Sequence, residues 1–199
     1  MPVYRNIGEF LEFINISTQK FTLFEWKPPR SYKSYILELN TIKEKKDFPD
    51  KIFFHISKVE MKIVYIKINN LIYVIGAKTG VQFQLLEALL EDCAEKFHEI
   101  YDVDVILSYG NFSNNIFNGF KNQIENIINN FANFDLIKRI NVECRVCNKV
   151  LPLFVKKSFI KNAESYPVPI VYIHEGHAIL VFIDQNFDVR GVELVNVTG

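Results

Sequence analysis

Between Met61 and Phe131 the chain changes its hydrophobic period, and that change restricts the fold more than any single residue does. MKIVYIKI (Met61–Ile68) and LIYVIGA (Leu71–Ala77) are rich in β-branched and aromatic residues. They are joined by Asn69-Asn70, a residue type that tolerates the positive φ of a tight turn, so the segment predicts a β-hairpin. After Gly80 the apolar residues Val81, Leu85, Leu86, Leu89, Cys93, Phe97 and Ile100 recur at the three-and-four spacing of one helix face. Glu87, Glu91, Asp92, Glu95 and Lys96 form the polar face of that helix. Ile116, Phe117, Phe120, Ile124, Ile127, Ile128 and Phe131 repeat the pattern and predict a second amphipathic helix.

Upstream, Phe10–Ile16 and Phe21–Trp26 read as a further hairpin across the polar Ser17-Thr18-Gln19-Lys20. Pro28-Pro29 ends that pairing, because proline has no N–H for a ladder, and Ser31 is placed to cap a helix. Tyr32, Tyr35, Ile36, Leu39 and Ile42 repeat with helical spacing, although Tyr-Ile-Leu also suits a strand. A charged turn over Lys43–Asp50 then leads to a strand at Ile52–Val59. Asp102–Tyr109 reads as extended, or as a turn into the next helix, with Gly110-Asn111-Phe112-Ser113 as the break and cap. The expected fold class is α+β, in the order β-β-α-β-β-β-α-α. Short connections between antiparallel neighbours favour one sheet flanked by helices.

The stretch KIVYIKINNLIYVIGAKTGVQFQLLEALLEDCAEKFHEIYDVDVIL resembles the matching part of the small chains of clathrin-type adaptor complexes. Tyr65, Leu71, Tyr73, Val74, Leu86, Leu89, Phe97, Asp104 and Ile106 hold the corresponding places. Residues 8–133, about two-thirds of the chain, thereby resemble a longin domain. The related roadblock fold begins with a helix, and the three strands expected just before Val81 argue against it. The shared positions are core positions rather than a catalytic signature, no motif for an adaptor binding pocket is found, and no SNARE heptad helix follows. The resemblance implies a non-enzymatic, adaptor-like platform of vesicle-trafficking type. Its implied partner is a small GTPase of the Ras or Arf type, or another longin or roadblock subunit.

Composition narrows the setting. Of 199 residues, 49% are apolar, enough for a sizeable core. Lys+Arg and Asp+Glu balance at 23 each, so the positive field that drives phosphate-backbone binding is missing and nucleic acid is not an expected partner. No signal-peptide core opens the chain, and no apolar run of about 18 residues is free of charge, so no direct membrane insertion is expected. Met1-Pro2 lacks the glycine needed for myristoylation, and Asn196-Val197-Thr198-Gly199 is no prenylation box. Three cysteines suit a reducing compartment, and the expected location is cytoplasmic.

The texture changes near Asp135, which divides the expectation into a longin-like domain over 1–135 and a small β-rich module over 136–199. Ile170–Ile173 and Ala178–Ile183 flank His174-Glu175-Gly176-His177, a two-residue turn that sets the histidines face to face. Cys144-x-x-Cys147 looks like one knuckle of a zinc ribbon. Zinc takes four nitrogen or sulfur ligands in a tetrahedron, so Cys144, Cys147, His174 and His177 suffice for one closed structural zinc. Small modules of this size commonly need such a staple. The set departs from finger spacing: 26 residues separate Cys147 from His174, two separate the histidines, and Asn148 stands where a knuckle glycine is common. The alternative is a pair of reduced, partly buried thiols beside two hairpin histidines.

Other features carry less chemistry. The His-Glu-Gly-His run lacks the i, i+4 histidines of the zinc-protease helix. A thioredoxin-like role for the cysteine pair wants a helix after it, whereas Val150–Val155 reads as a strand. Cys93 lies in an apolar stripe and reads as core. His55 and His98 show no carboxylate or cysteine at useful spacing. Asp184, Asp188, Arg190 and Glu193 suggest a local salt bridge beside an Arg190-Gly191 turn, or an arginine offered to a carboxylate. No phosphate loop, dinucleotide glycine pattern, nucleophile elbow or kinase signature is present, so no enzyme is nominated. The alternatives to an interaction module are a metal or thiol-redox protein acting through the C-terminal residues, and a homodimeric scaffold.

Overall fold

The structure, a computed structural model, describes residues 6–29, 31, 34–44, 49–109 and 114–195. Two compact units are present, one ending at Phe134 and the other beginning at Asp135. The first contains β1 (Leu11–Ser17), β2 (Thr22–Trp26), α1 (Ile36–Lys43), β3 (Phe53–Ser57), β4 (Met61–Ile68), β5 (Leu71–Lys78), α2 (Phe83–Ile100), α3 (Val103–Tyr109) and α4 (Asn118–Asn129). Its strands form one antiparallel sheet in the order β2-β1-β5-β4-β3. The expected order of elements is therefore present, with α3 added. The β4–β5 hairpin closes between Ile68 and Leu71, and Asn69 takes the positive φ, 54°, that its side chain tolerates.

Alternation of strand side chains gives this sheet two apolar faces. Phe13, Ile63, Tyr65, Ile72 and Val74 on one face pack with Tyr35, Leu39 and Ile42 at α1. On the other, Phe97 of α2 sits 6.2 Å from Tyr73 and 5.1 Å from Phe120 of α4, and Phe24 meets Phe120 at 4.9 Å, all ring centroid to centroid. Phe97 and Phe120 are fully buried, each contributing about 1.5–3 kcal/mol relative to exposure. Gly76 lies under the Phe13 ring, where a Cβ would come within 2.3 Å of a ring carbon. Cys93 is buried in this core as expected, and burial pushes its thiol up.

Three local expectations are corrected. Ser31 does not cap α1: the helix begins at Ile36, with Tyr35 at the N-cap and no side-chain cap bond. The Ser31 N–H donates instead to the Pro28 carbonyl at 2.9 Å. Tyr35 is drawn out of the helix by burial, stacking on Phe13 at 4.5 Å and donating its hydroxyl to Glu12 Oε2 at 2.6 Å. Val103–Tyr109 is the helix α3 and not extended, because Asp102 Oδ1 accepts the Val105 N–H at 3.1 Å, as an N-cap side chain does. Asp92 leaves the polar face of α2 and is buried, ion-paired with Lys96 one turn on, whereas Ile100 at the end of the stripe is exposed. Tyr32, residues 45–48 of the charged turn, the 110–113 break and the two chain ends lie outside the described residues.

The second unit contains β6 (Ile137–Cys144), β7 (Lys149–Lys156), α5 (Lys157–Lys161), β8 (Val168–His174), β9 (His177–Ile183) and β10 (Val189–Val195). An antiparallel β6-β7 ribbon and an antiparallel β10-β9-β8 sheet share one core. Val142, Leu151, Leu153 and Val155 of the ribbon pack there with Ile160, Ile170, Tyr172, Val181 and Ile183. Strand β8 alternates strictly between buried and exposed residues, as a half-buried strand must. Asp184 organises the β9–β10 turn, accepting N–H bonds from Asn186 at 2.8 Å and Asp188 at 2.9 Å, and Nε of Arg190 at 2.6 Å. The Asp188 N–H, and then Arg190, hold its carboxyl below the usual carboxylate range. Arg190 thus makes the local salt bridge, and Arg190-Gly191 lies within β10, at a register shift, rather than in a turn. No helix among the described residues is long and apolar enough to cross a membrane.

Candidate metal centre

Two turns bring the four expected ligands together. At the end of the β6–β7 ribbon Cys144 pairs with Lys149, and the chain between them turns through Asn148 at φ 55°. Asparagine is among the few residues that enter the left-handed region readily, so it does here what a knuckle glycine does elsewhere. The turn closes with the Asn148 N–H donating to the Cys144 carbonyl at 2.8 Å. At the end of the β8–β9 hairpin, His174 pairs with His177 across Glu175 at φ 46° and Gly176 at φ 80°. Positive φ at both central residues is the type I′ arrangement that matches the twist of a two-residue hairpin. Glu175, a non-glycine in that conformation, carries strain beside the cluster.

One ligand atom from each of Cys144, Cys147, His174 and His177 lies within 4.8 Å of every other. Cys144 and His174 are buried, and the other two are half-buried. His177 Nδ1 is 3.9 Å from Cys144 Sγ. Zinc–sulfur bonds of about 2.3 Å and zinc–nitrogen bonds of about 2.0 Å in a tetrahedron set ligand atoms about 3.3–3.8 Å apart, so small side-chain movements would close the set on one ion. The sequence expectation for these residues and the structure therefore coincide: the four lie close together and can bind a metal ion.

The electrostatics suit that role. Backbone N–H groups, that of Cys147 first and that of Val146 after it, point at the Cys144 sulfur and hold its thiol below the ordinary value, which favours the thiolate a metal needs. His174 is only 3% exposed, and burial first, then the neighbouring His177, lowers its pKa and keeps the ring neutral. Its Nδ1 and Nε2 are both buried without a hydrogen-bond partner. A metal ion could take one of these two nitrogens, since an imidazole offers one ligand atom to one ion. Outside the ligand shell, Lys149 Nζ reaches both carboxylate oxygens of Glu175, at 2.9 and 2.7 Å, tying the cysteine turn to the histidine hairpin. Sequence reasoning missed that tie, although each partner stands next to, or one residue from, a ligand.

The remaining histidines have partners that spacing alone did not show. His55 on β3 is not lone: its Nε2 lies 2.8 Å from Glu87 Oε1 on α2, 32 positions away, and its ring stacks on Phe83 at 4.4 Å. His98 meets the Tyr73 hydroxyl at 3.1 Å. Among the described residues neither belongs to a group that could hold a metal ion. The fold and the cluster define a class at a coarse level: an α+β protein of two units, the second carrying a Cys2His2 constellation able to bind a metal ion. No family model matches the chain, and no curated protein does.

Proposed function

We propose that this protein is a non-enzymatic interaction protein whose first unit is a longin-like platform and whose second unit is stapled by one structural zinc ion. The observation that carries the zinc is the convergence of one ligand atom from each of Cys144, Cys147, His174 and His177 to within 4.8 Å, with a buried, partnerless nitrogen of His174 among them. Cys144, Cys147, His174 and His177 would hold the ion, and four protein ligands leave no position for a substrate water, so the metal supplies folding energy and not catalysis. Zinc fits the mixed thiolate and imidazole donors better than calcium or magnesium, which take oxygen.

For the platform, support comes from the β2-β1-β5-β4-β3 sheet between α1 on one face and α2 with α4 on the other, the arrangement that the resemblance implies. Its proposed partner is a small GTPase of the Ras or Arf type, or another longin or roadblock subunit. Three free cysteines favour a cytoplasmic setting.

Metal analysis of the purified chain tests the first half: one zinc per chain, lost together with the second unit's fold on chelation, supports the reading, and a chain that stays metal-free and folded in zinc buffer sinks it. Capture from native lysate with a GTP analogue against GDP tests the second half, through a nucleotide-dependent GTPase. A thiol-redox role is the second reading, favoured by the lowered Cys144 thiol. Full burial of Cys144 counts against it, because a relay thiol must be reached.

A further inference from the structure

Cys144 and Cys147 sit on one turn, and that pairing gives the centre a chemistry that its histidines do not share. The two sulfurs lie within 4.8 Å of each other, and the Cys147 thiol donates to the Cys144 sulfur. The turn is closed behind them by the Cys144–Lys149 pair and by the Asn148 N–H bond to the Cys144 carbonyl. Neither strand of the ribbon has to separate for these sulfurs to bond to each other.

Solvent reaches the three cysteines of the chain unequally. Cys144 is fully buried, and the backbone N–H groups of Cys147 and Val146 point at its sulfur. Cys147 is half-buried, on a turn where the adjacent Val146 is 47% exposed. Oxidation needs a thiolate that the oxidant can touch, and a zinc ligand is held as the thiolate. Cys93 is buried in the core of the first unit, and burial pushes its thiol up, so it stays protonated and out of reach.

We propose that the centre releases its zinc on oxidation: a hydroperoxide oxidises Cys147, Cys144 resolves it as a disulfide, and the ion leaves. The inference rests on the zinc reading above. In the first step the Cys147 sulfur attacks a peroxide oxygen. The S–O bond forms, the O–O bond breaks, and the departing hydroxide takes a proton and becomes water, leaving a sulfenic acid on Cys147. In the second step the Cys144 thiolate attacks that sulfur. The S–S bond forms, the S–O bond breaks, and hydroxide again leaves and takes a proton. The sum is two zinc-bound thiolates, one hydrogen peroxide and two protons giving one disulfide, two waters and one free zinc ion. Burial of Cys144, which counts against a relay thiol, suits a resolving one: it has only to reach Cys147, and the oxidant never has to reach it. His174 and His177 are then half of a four-ligand set, and the second unit loses its staple.

Titrating the zinc-loaded full chain with hydrogen peroxide tests it without any substitution. Metal content before oxidation reports on the zinc reading, and the response to peroxide reports on this inference. One zinc should pass into the ultrafiltrate for each disulfide formed, and alkylation with mass spectrometry should place that disulfide between Cys144 and Cys147 and find Cys93 free. A 1,3-diketone present during limiting oxidation should trap the sulfenic acid on Cys147. Amide exchange of β6, β8 and β9 should quicken at least about tenfold on oxidation, and dithiothreitol with zinc should restore it. Zinc that stays bound under excess peroxide, release without a disulfide, a diketone label on Cys144, or a disulfide that takes in Cys93 would each overturn the proposal. A chain that holds no zinc before oxidation sinks the zinc reading, and this inference with it.

Discussion

Replacing His174 by phenylalanine distinguishes a metal ligand from a packed core histidine by the sign of the effect. The ring is buried in the second unit, 5.9 Å from Tyr172 and nearly parallel to it, and neither of its nitrogens has a partner. Leaving one buried polar atom unpaired costs about 1–3 kcal/mol. Were His174 only a core residue, exchanging two orphaned nitrogens for an apolar ring of similar shape would stabilise the unit by about 2–6 kcal/mol. As a ligand it behaves oppositely. A structural zinc supplies about 10–16 kcal/mol of apparent folding free energy, so one ligand in four represents about 2.5–4 kcal/mol. A unit of this size holds about 3–5 kcal/mol in all, so His174→Phe should leave it close to unfolding. Amide hydrogen exchange along β6, β8 and β9 in zinc buffer reads the second unit. Fluorescence of Trp26, the chain's one tryptophan, reads the first unit as an internal control. Exchange protection that is unchanged or higher in His174→Phe would refute the ligand assignment.

Other consequences are equally direct. Gly76→Ala drives a Cβ into the Phe13 ring and should cost about 1–3 kcal/mol, lowering the urea midpoint followed by Trp26; an unchanged midpoint would mean that the sheet and Phe13 yield freely. Asn148→Gly should be nearly neutral, whereas Asn148→Val, forced to φ 55°, should lose about 1–2 kcal/mol and weaken zinc binding; equal behaviour of the two in a zinc competition titration would remove the cysteine turn from the account. The Asp184 carboxyl is held low by the Asp188 N–H and Arg190, so its contribution is present above about pH 4 and is lost as pH falls through its lower folded value. Asp184→Asn should flatten that part of the acid profile, followed by exchange at β9 and β10, and an unaltered profile would show that the turn does not titrate.

How much of this was legible depends on how far apart the interacting residues lie. The β4–β5 hairpin, β1 with β2, and the long helix follow from period and turn residues, because strands and helices repeat over neighbours in sequence. α3 was misread because DVDVILSY is β-branched and apolar, and the contrary signal was one residue, Asp102, whose carboxylate caps the helix. Ser31 misled in the opposite sense: a good capping residue, placed where burial of Tyr35 against Phe13 starts the helix four residues later than a Ser31 cap implies. For the metal centre, each half was visible as a local turn, the cysteine pair and the histidine hairpin. That the turns meet was an expectation from ligand count alone.

By itself, then, the sequence determined most elements of the first unit and the local geometry of both ligand pairs, because hydrophobic period, asparagine or glycine at positive φ, and proline act over a few residues. Tertiary structure decided the rest. The ribbon and the three-stranded sheet bury one core, and that packing brings Cys144 and His174 together across the residues between them. It also strips His174 of hydrogen-bond partners and gives His55 its Glu87. Each of these depends on which surfaces exclude water together, a property of the packed chain that no stretch of residues carries alone.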